Sequence, residues 1–123
     1  MTRLGFVSAA AALVFLVTPA FAGSGSFKGA SGHVTSGSVT VSEAGGKLTV
    51  KLGSNFSLDN APDAYVALGN GARPIKGGLI GVLKNFKGGQ SYSIKSTSAL
   101  KGATHAIIWC KKYSVPLGVA KLK

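Results

Sequence analysis

Carboxylates are scarce in this chain. Glu43, Asp59 and Asp63 are its only acidic residues among 123, and the two aspartates lie four positions apart in one turn-forming segment. This disfavours a hydrolase built on paired carboxylates. A Ser-His-Asp set drawn from Asp63, His105 and a serine lacks any nucleophile motif around the serine. We therefore do not expect a hydrolase.

The shortage of acids leaves the basic residues unbalanced. Fourteen lysines and arginines give a formal net charge of +11 at pH 7. Such a charge favours contact with anionic lipid, acidic polysaccharide or an acidic docking protein, and it equally serves solubility. The lysines are spread along the chain without a recognition motif, so nucleic acid is not an expected partner.

The chain has a single cysteine, Cys110. It directly follows the only tryptophan, Trp109, and precedes Lys111 and Lys112. One cysteine excludes an internal disulfide and a dithiol cycle, leaving sulfenate chemistry or a mixed disulfide. Cys110 is thus either a buried hydrophobe or a reactive thiol. In the second case Trp109 shapes the site, and the two lysines favour the thiolate or dock an acidic partner.

The position of Cys110 in a predicted strand sets its neighbours. Side chains alternate between the two faces of a strand, so Cys110 shares a face with Ala106 and Ile108. His105 and Trp109 take the other face. We therefore do not expect His105 to activate the thiol unless a bulge intervenes.

Metal-binding residues are also few. His33, His105 and Cys110 form the set of equatorial ligands found in blue-copper centres. The axial methionine is missing, because Met1 is the only methionine and falls in the leader described next. Copper or haem thus has only His33 and His105 as weak candidate ligands besides Cys110, and no cofactor is assigned.

The N-terminus has the pattern of a cleaved secretory signal over residues 1–22. Arg3 is followed by an uncharged run over residues 4–17, and Ala20-Phe21-Ala22 provides a small-x-small cleavage site before Gly23. The run is short for a bilayer-spanning helix, and no later stretch is long enough. We expect an exported protein, periplasmic or extracellular, with one domain over residues 23–123; a retained N-terminal anchor is the alternative.

Long helical periods are absent after residue 22, whereas short alternating segments recur between glycine-rich turns. Val39 and Val41 alternate toward Leu48, Val50 and Leu52 across Ala44-Gly45-Gly46, which predicts an antiparallel hairpin. Further strands are predicted over residues 64–68, 90–94, 105–110 and 115–122, with residues 79–83 as a strand or a turn. Pro116 is compatible only with an edge or a bulge. The fold class is all-β, a single antiparallel sandwich or small barrel of roughly seven strands.

Ordered short motifs give this chain a resemblance to the DM-thirteen domain family, which accompanies DOMON domains and also occurs alone behind signal peptides. The motifs span nearly all of residues 23–123. They are Gly25-Ser26-Phe27, His33 to Gly37, Pro62-Asp63 before a strand, Leu83-Lys84, Gly89-Gln90-Ser91-Tyr92, and Trp109-Cys110 leading into Val115 to Leu122 with Gly118. Each is weak alone, and their order is specific.

The resemblance implies a β-rich domain with a redox or electron-transfer role centred on Cys110. Tyr113 and Leu117 stand where phenylalanine is common in the family, and both keep the bulk. The leading hypothesis is a periplasmic or secreted redox module acting through Cys110 with an unknown partner. The alternative is a non-catalytic envelope or adhesion module that binds anionic surfaces through its basic charge.

Overall fold

The chain forms eleven strands and one short helix within residues 20–123, the part that the computed structural model describes. The predicted signal over residues 1–22 therefore lies mostly outside the described residues. The elements are β1 (Ala20–Ser26), β2 (Lys28–Gly29), β3 (Thr35–Ser36), β4 (Ser38–Ala44), β5 (Lys47–Leu52), β6 (Ser57–Leu58), β7 (Ala64–Asn70), β8 (Arg73–Val82), β9 (Gln90–Lys95), α1 (Ser98–Lys101), β10 (His105–Cys110) and β11 (Val115–Lys121).

Two open antiparallel sheets enclose the core. One has the strand order β1-β4-β5-β9, the other has the order β2-β11-β10-β7-β8, and the short strands β3 and β6 pair separately. Buried aliphatic side chains from β4 and β5 and from β7 and β10 belong to one hydrophobic cluster. The predicted all-β, sandwich-like fold is confirmed, and the described strands do not close into a barrel.

The predicted hairpin is β4 followed by β5. Val41 pairs with Val50, and Val39 pairs with Leu52, so the alternating apolar residues face the core together. Gly45 and Gly46 have φ values of 59° and 79°, the left-handed conformation that a tight turn of this kind requires at both central positions. The alternation and the two glycines thus specify the same turn.

Strand β10 lies at the centre of the five-stranded sheet, between β7 and β11. Its alternate residues Ala106, Ile108 and Cys110 join the main core. Ile107 and Trp109 form a second small cluster with Ala67. The predicted division of the strand into two faces is therefore confirmed. The ladder between β10 and β11 shifts register next to Pro116, so the proline sits at a bulge, one of the two positions that the sequence allowed.

Helix α1 was not expected from the sequence. Thr97 caps it by accepting a hydrogen bond from the Leu100 N–H, and Leu100 is buried. Four residues give about one helical turn, which is too short to produce a helical period. In the part of the chain described, no helix has the length and apolar character needed to span a membrane.

The N-terminal strand β1 crosses the predicted cleavage point. Ala20 and Phe21 pair with β4, and the register shifts before Gly23, which pairs with Val41. Cleavage before Gly23 would remove three residues of β1 and leave the pairing from Gly23 to Ser26. The strand therefore keeps its larger part in a processed chain.

Candidate functional site

The sulfur of Cys110 lies in the core. The residue is 1% exposed and ends strand β10. Its Sγ–H donates a hydrogen bond to the Pro62 carbonyl oxygen, with the sulfur 3.3 Å from that oxygen. Of the two environments that the sequence left open for this thiol, the structure shows the buried one. Reaction at the sulfur therefore requires whatever covers it to move.

A surface turn, residues 59–63, lies against the thiol, and we call it the covering turn. Pro62 and Asp63 are exposed, although the Pro62 carbonyl contacts the buried thiol. The Asp63 carbonyl accepts a hydrogen bond from the Lys111 N–H at 3.1 Å, which ties the turn to the residue after Cys110. Asp63 has a φ of 56°, an uncommon conformation for a non-glycine residue that aspartate tolerates better than most. The Pro-Asp motif thus forms the lid of the thiol.

The other end of the covering turn is held by Asp59. Its Oδ1 lies 3.0 Å from His33 Nδ1, and its Oδ2 accepts a hydrogen bond from the Val34 N–H at 3.0 Å. These hydrogen bonds, the backbone one foremost, lower the pKa of Asp59 below its ordinary value of 3.8. His33 therefore positions a turn.

Trp109 lies on the face of β10 opposite the thiol. It is 6% exposed, and the Arg73 guanidinium carbon lies 5.4 Å from the centre of its ring system. Trp109 pairs across the sheet with Tyr65, and the Lys111 ammonium lies 5.5 Å from the centre of the Tyr65 ring. On this side of β10 the buried Trp109 ring and the partly exposed Tyr65 ring therefore each have a cation close to them.

The two lysines after Cys110 are both exposed, and each ammonium contacts an aromatic ring. Lys111 contacts Tyr65, and Lys112 lies 5.4 Å from the centre of the Tyr113 ring. Each of the two lysines thus places a cation beside a tyrosine ring.

The predicted copper ligands are not brought together. His105 lies next to the turn after β7, where its Nδ1 is 2.9 Å from the Gly71 nitrogen, whereas Cys110 is in the core. Within the residues described, no three His, Cys, Asp or Glu side chains form a group that could hold a metal ion.

Gly118, the motif glycine of the last strand, allows close packing against Thr35. A Cβ placed on Gly118 would lie 2.6 Å from Thr35 Cγ2. The Thr35 hydroxyl is buried and donates a hydrogen bond to the Leu117 carbonyl at 2.7 Å. This motif position therefore serves the fold and not the chemistry of the thiol.

The Gly-Gln-x-Tyr motif is also structural. The Tyr92 hydroxyl accepts a hydrogen bond from the Lys84 N–H at 2.8 Å and donates one to the Gln90 side chain. Gln90 in turn accepts a hydrogen bond from the Asn85 N–H at 3.1 Å. Burial raises the pKa of Tyr92 above 10.0. The motif thus fastens the loop after β8 to strand β9.

One feature of the surface was missed by the sequence reasoning. A cleft of about 570 Å³ lies beside strands β1, β2 and β11, and we call it the basic cleft. It is lined by Ser24, Gly25, Ser26, Lys28, Gly29, His105, Val119, Lys121 and Lys123. The spacing of Lys121 and Lys123 is a weak signal for one strand face. Nothing in the sequence shows that Lys28 joins them from almost the other end of the domain.

Comparison with known proteins gives one match. The family described as Electron transfer DM13 matches residues 26–122, which include the covering turn, Cys110 and Gly118. No curated protein and no solved structure matches the chain. Since the match covers well over half of the sequence, the chain belongs to the Electron transfer DM13 family.

Proposed function

We propose that this domain is a redox module that acts outside the cytoplasm, with Cys110 as its reactive group and a second protein as its partner. Membership of an electron-transfer family supports the general role. The observation that carries the choice of Cys110 is its position. The only thiol of the chain, although buried, hydrogen-bonds to the carbonyl of the exposed residue Pro62, so the sulfur lies against a surface turn.

The chemistry available to one thiol is exchange with a disulfide of the partner. When the covering turn lifts, the Cys110 thiol loses its proton to solvent and Sγ attacks one sulfur of that disulfide. A bond forms between Sγ and this sulfur, and the other partner sulfur leaves as a thiolate. A thiolate of another molecule then attacks the partner's sulfur in the mixed disulfide and forms a new disulfide with it, while Cys110 Sγ leaves as a thiolate and takes up a proton from solvent.

The outer face of the five-stranded sheet is the docking side in this proposal. Arg73 and Lys111 place positive charge beside the Trp109 and Tyr65 rings. The partly exposed Tyr65 ring and the neighbouring cations suit an acidic partner, because they combine apolar contact area with charge attraction. The Cys110 side chain lies on the opposite face of β10, so in this proposal the partner's disulfide approaches the sulfur at the covering turn.

The test is reaction with glutathione disulfide, followed by intact-protein mass spectrometry. We expect one glutathione adduct on the native protein and none on Cys110→Ser. Serine can still donate a hydrogen bond to the Pro62 carbonyl, so the variant should keep the native circular dichroism spectrum. The proposal fails if the wild-type protein forms an adduct only at denaturant concentrations that unfold it.

A second candidate function, a non-catalytic envelope module that binds anionic surfaces, is favoured by a separate observation. The one ion pair within residues 20–123 joins His33 and Asp59, so no lysine or arginine there is paired with a side-chain carboxylate. Retention on anionic vesicles or acidic polysaccharide should then fall steeply as salt rises, and Cys110→Ser should not change it. Retention that ignores ionic strength would rule this function out.

A further inference from the structure

The basic cleft gathers three lysines from two ends of the chain. Lys28 in β2 and Val119 in β11 are paired, and Lys121 follows two positions later on the same face of β11. Lys123 is held at the edge of the cleft by a pair of backbone hydrogen bonds with Ser24, of 3.2 and 2.9 Å. Backbone pairing therefore fixes the relative positions of the three lysines.

The positive charge of this cleft is not neutralised by side-chain carboxylates. The chain has only Glu43, Asp59 and Asp63, and none of them lines the cleft. Asp59 is in contact with His33, in the one ion pair found among residues 20–123. Gathering like charges raises the local potential, and an anion in the cleft would offset it.

His105 lines the cleft, and its contact with Gly71 determines which ring nitrogen can donate a hydrogen bond. Its Nδ1 lies 2.9 Å from the Gly71 nitrogen, and a backbone N–H can only donate. Nδ1 is therefore the acceptor, and in the neutral ring the proton resides on Nε2. The ring thus offers an N–H to a ligand without needing a positive charge.

The wall of the cleft near β1 is made of backbone at Gly25 and Gly29. A Cβ on Gly25 would lie 2.2 Å from the Lys121 carbonyl oxygen, and one on Gly29 would lie 2.0 Å from the His33 carbonyl oxygen. No side chain larger than hydrogen fits at either position without backbone movement. The two glycines therefore allow close backbone packing beside the cleft, of β1 against Lys121 at Gly25 and of β2 against His33 at Gly29.

We propose that the basic cleft binds a phosphate monoester. Lysine is a common phosphate ligand that acts as a point charge, and several lysines together can balance the nearly double negative charge of a phosphate monoester. Ser24, Ser26 and His105 supply neutral donors for the remaining oxygens. The site is separate from Cys110, and the inference does not depend on the redox role.

The test is a titration of the purified protein with glycerol 3-phosphate at low salt, followed by NMR shifts of backbone amides, with glycerol as the uncharged control. We expect saturable shifts at residues 24–29, 105 and 119–123, and about tenfold weaker binding for Lys121→Ala. Lys51→Ala removes an equally exposed lysine from β5, in the other sheet, and should change the affinity less than twofold.

A second arm uses vesicles that contain phosphatidic acid, because a phosphate monoester is also a lipid head group. Binding of soluble glycerol 3-phosphate identifies a free ester as the source, and binding of vesicles alone identifies a head group; Lys121→Ala must weaken either one. The proposal is overturned if neither binds, if Lys51→Ala weakens binding as much as Lys121→Ala, or if acetate competes as well as inorganic phosphate.

Discussion

Loosening the covering turn should expose Cys110 without unfolding the domain. Opening residues 60–63 breaks the hydrogen bonds from the Cys110 thiol to Pro62 and from the Lys111 N–H to Asp63. It also exposes Ala61, which is 9% exposed in the closed turn. At about 1 kcal/mol for each hydrogen bond and somewhat less for one methyl group, the opening costs about 2–3 kcal/mol.

This cost sets the expected rate of alkylation. Since about 1.4 kcal/mol corresponds to a factor of ten, iodoacetamide should label native Cys110 about 30–150 times more slowly than a cysteine in an unfolded peptide. Global unfolding of a domain costs about 5 kcal/mol or more and would slow labelling by several thousandfold. The two routes to the sulfur thus differ by at least an order of magnitude in rate.

The perturbation is Pro62→Gly. Proline limits the open conformations of the turn, so glycine should favour opening by about 0.4–1 kcal/mol and speed labelling about two- to fivefold. The rate is measured by quenched alkylation and mass spectrometry, beside hydrogen exchange of the Ile108 amide as a monitor of global unfolding. Local opening would be refuted if Cys110 were protected from alkylation as strongly as the Ile108 amide is protected from hydrogen exchange.

Two further predictions concern the supports of the site. Gly118→Ala should lower the free energy of unfolding in urea by about 1–3 kcal/mol, because its Cβ would lie 2.6 Å from Thr35 Cγ2. Adding Thr35→Ser should recover part of the loss. An unchanged urea midpoint for Gly118→Ala would contradict this packing. The pKa of Asp59 is lowered in the folded state, so its contribution is present above the ordinary value of 3.8 and is lost as pH falls through the lower folded value. Asp59→Asn should therefore reduce the fall in melting temperature as the pH drops below about 4, and an unchanged acid slope would count against this.

The strands were predictable where two local signals coincide. Alternating valines and leucines around Gly45-Gly46 specify both the faces and the turn of the first long hairpin, and the boundaries of β10 follow from its apolar run. Strand β8 is longer than residues 79–83, since it begins at Arg73. The pairing of β8 with β7 is irregular near Ala67, so β8 lacks the regular alternation of apolar and polar residues by which a strand is predicted from sequence.

The site was predictable only in part, because contacts between distant segments decide it. Alternation along β10 separates Cys110 from His105 and Trp109, and this separation holds. The cover of the thiol comes from Pro62, 48 residues away, and no local pattern predicts that contact. The basic cleft likewise depends on the pairing of β2 with β11.

The most direct test of the redox role is the state of Cys110 in the cells that produce the protein. Cells are quenched in acid, free thiols are alkylated, and the peptide containing Cys110 is quantified by non-reducing mass spectrometry. We predict a measurable fraction of the peptide in a mixed disulfide with one recurring partner protein. The account would be contradicted if this peptide is never found in a disulfide and its thiol is alkylated only after the protein has been unfolded.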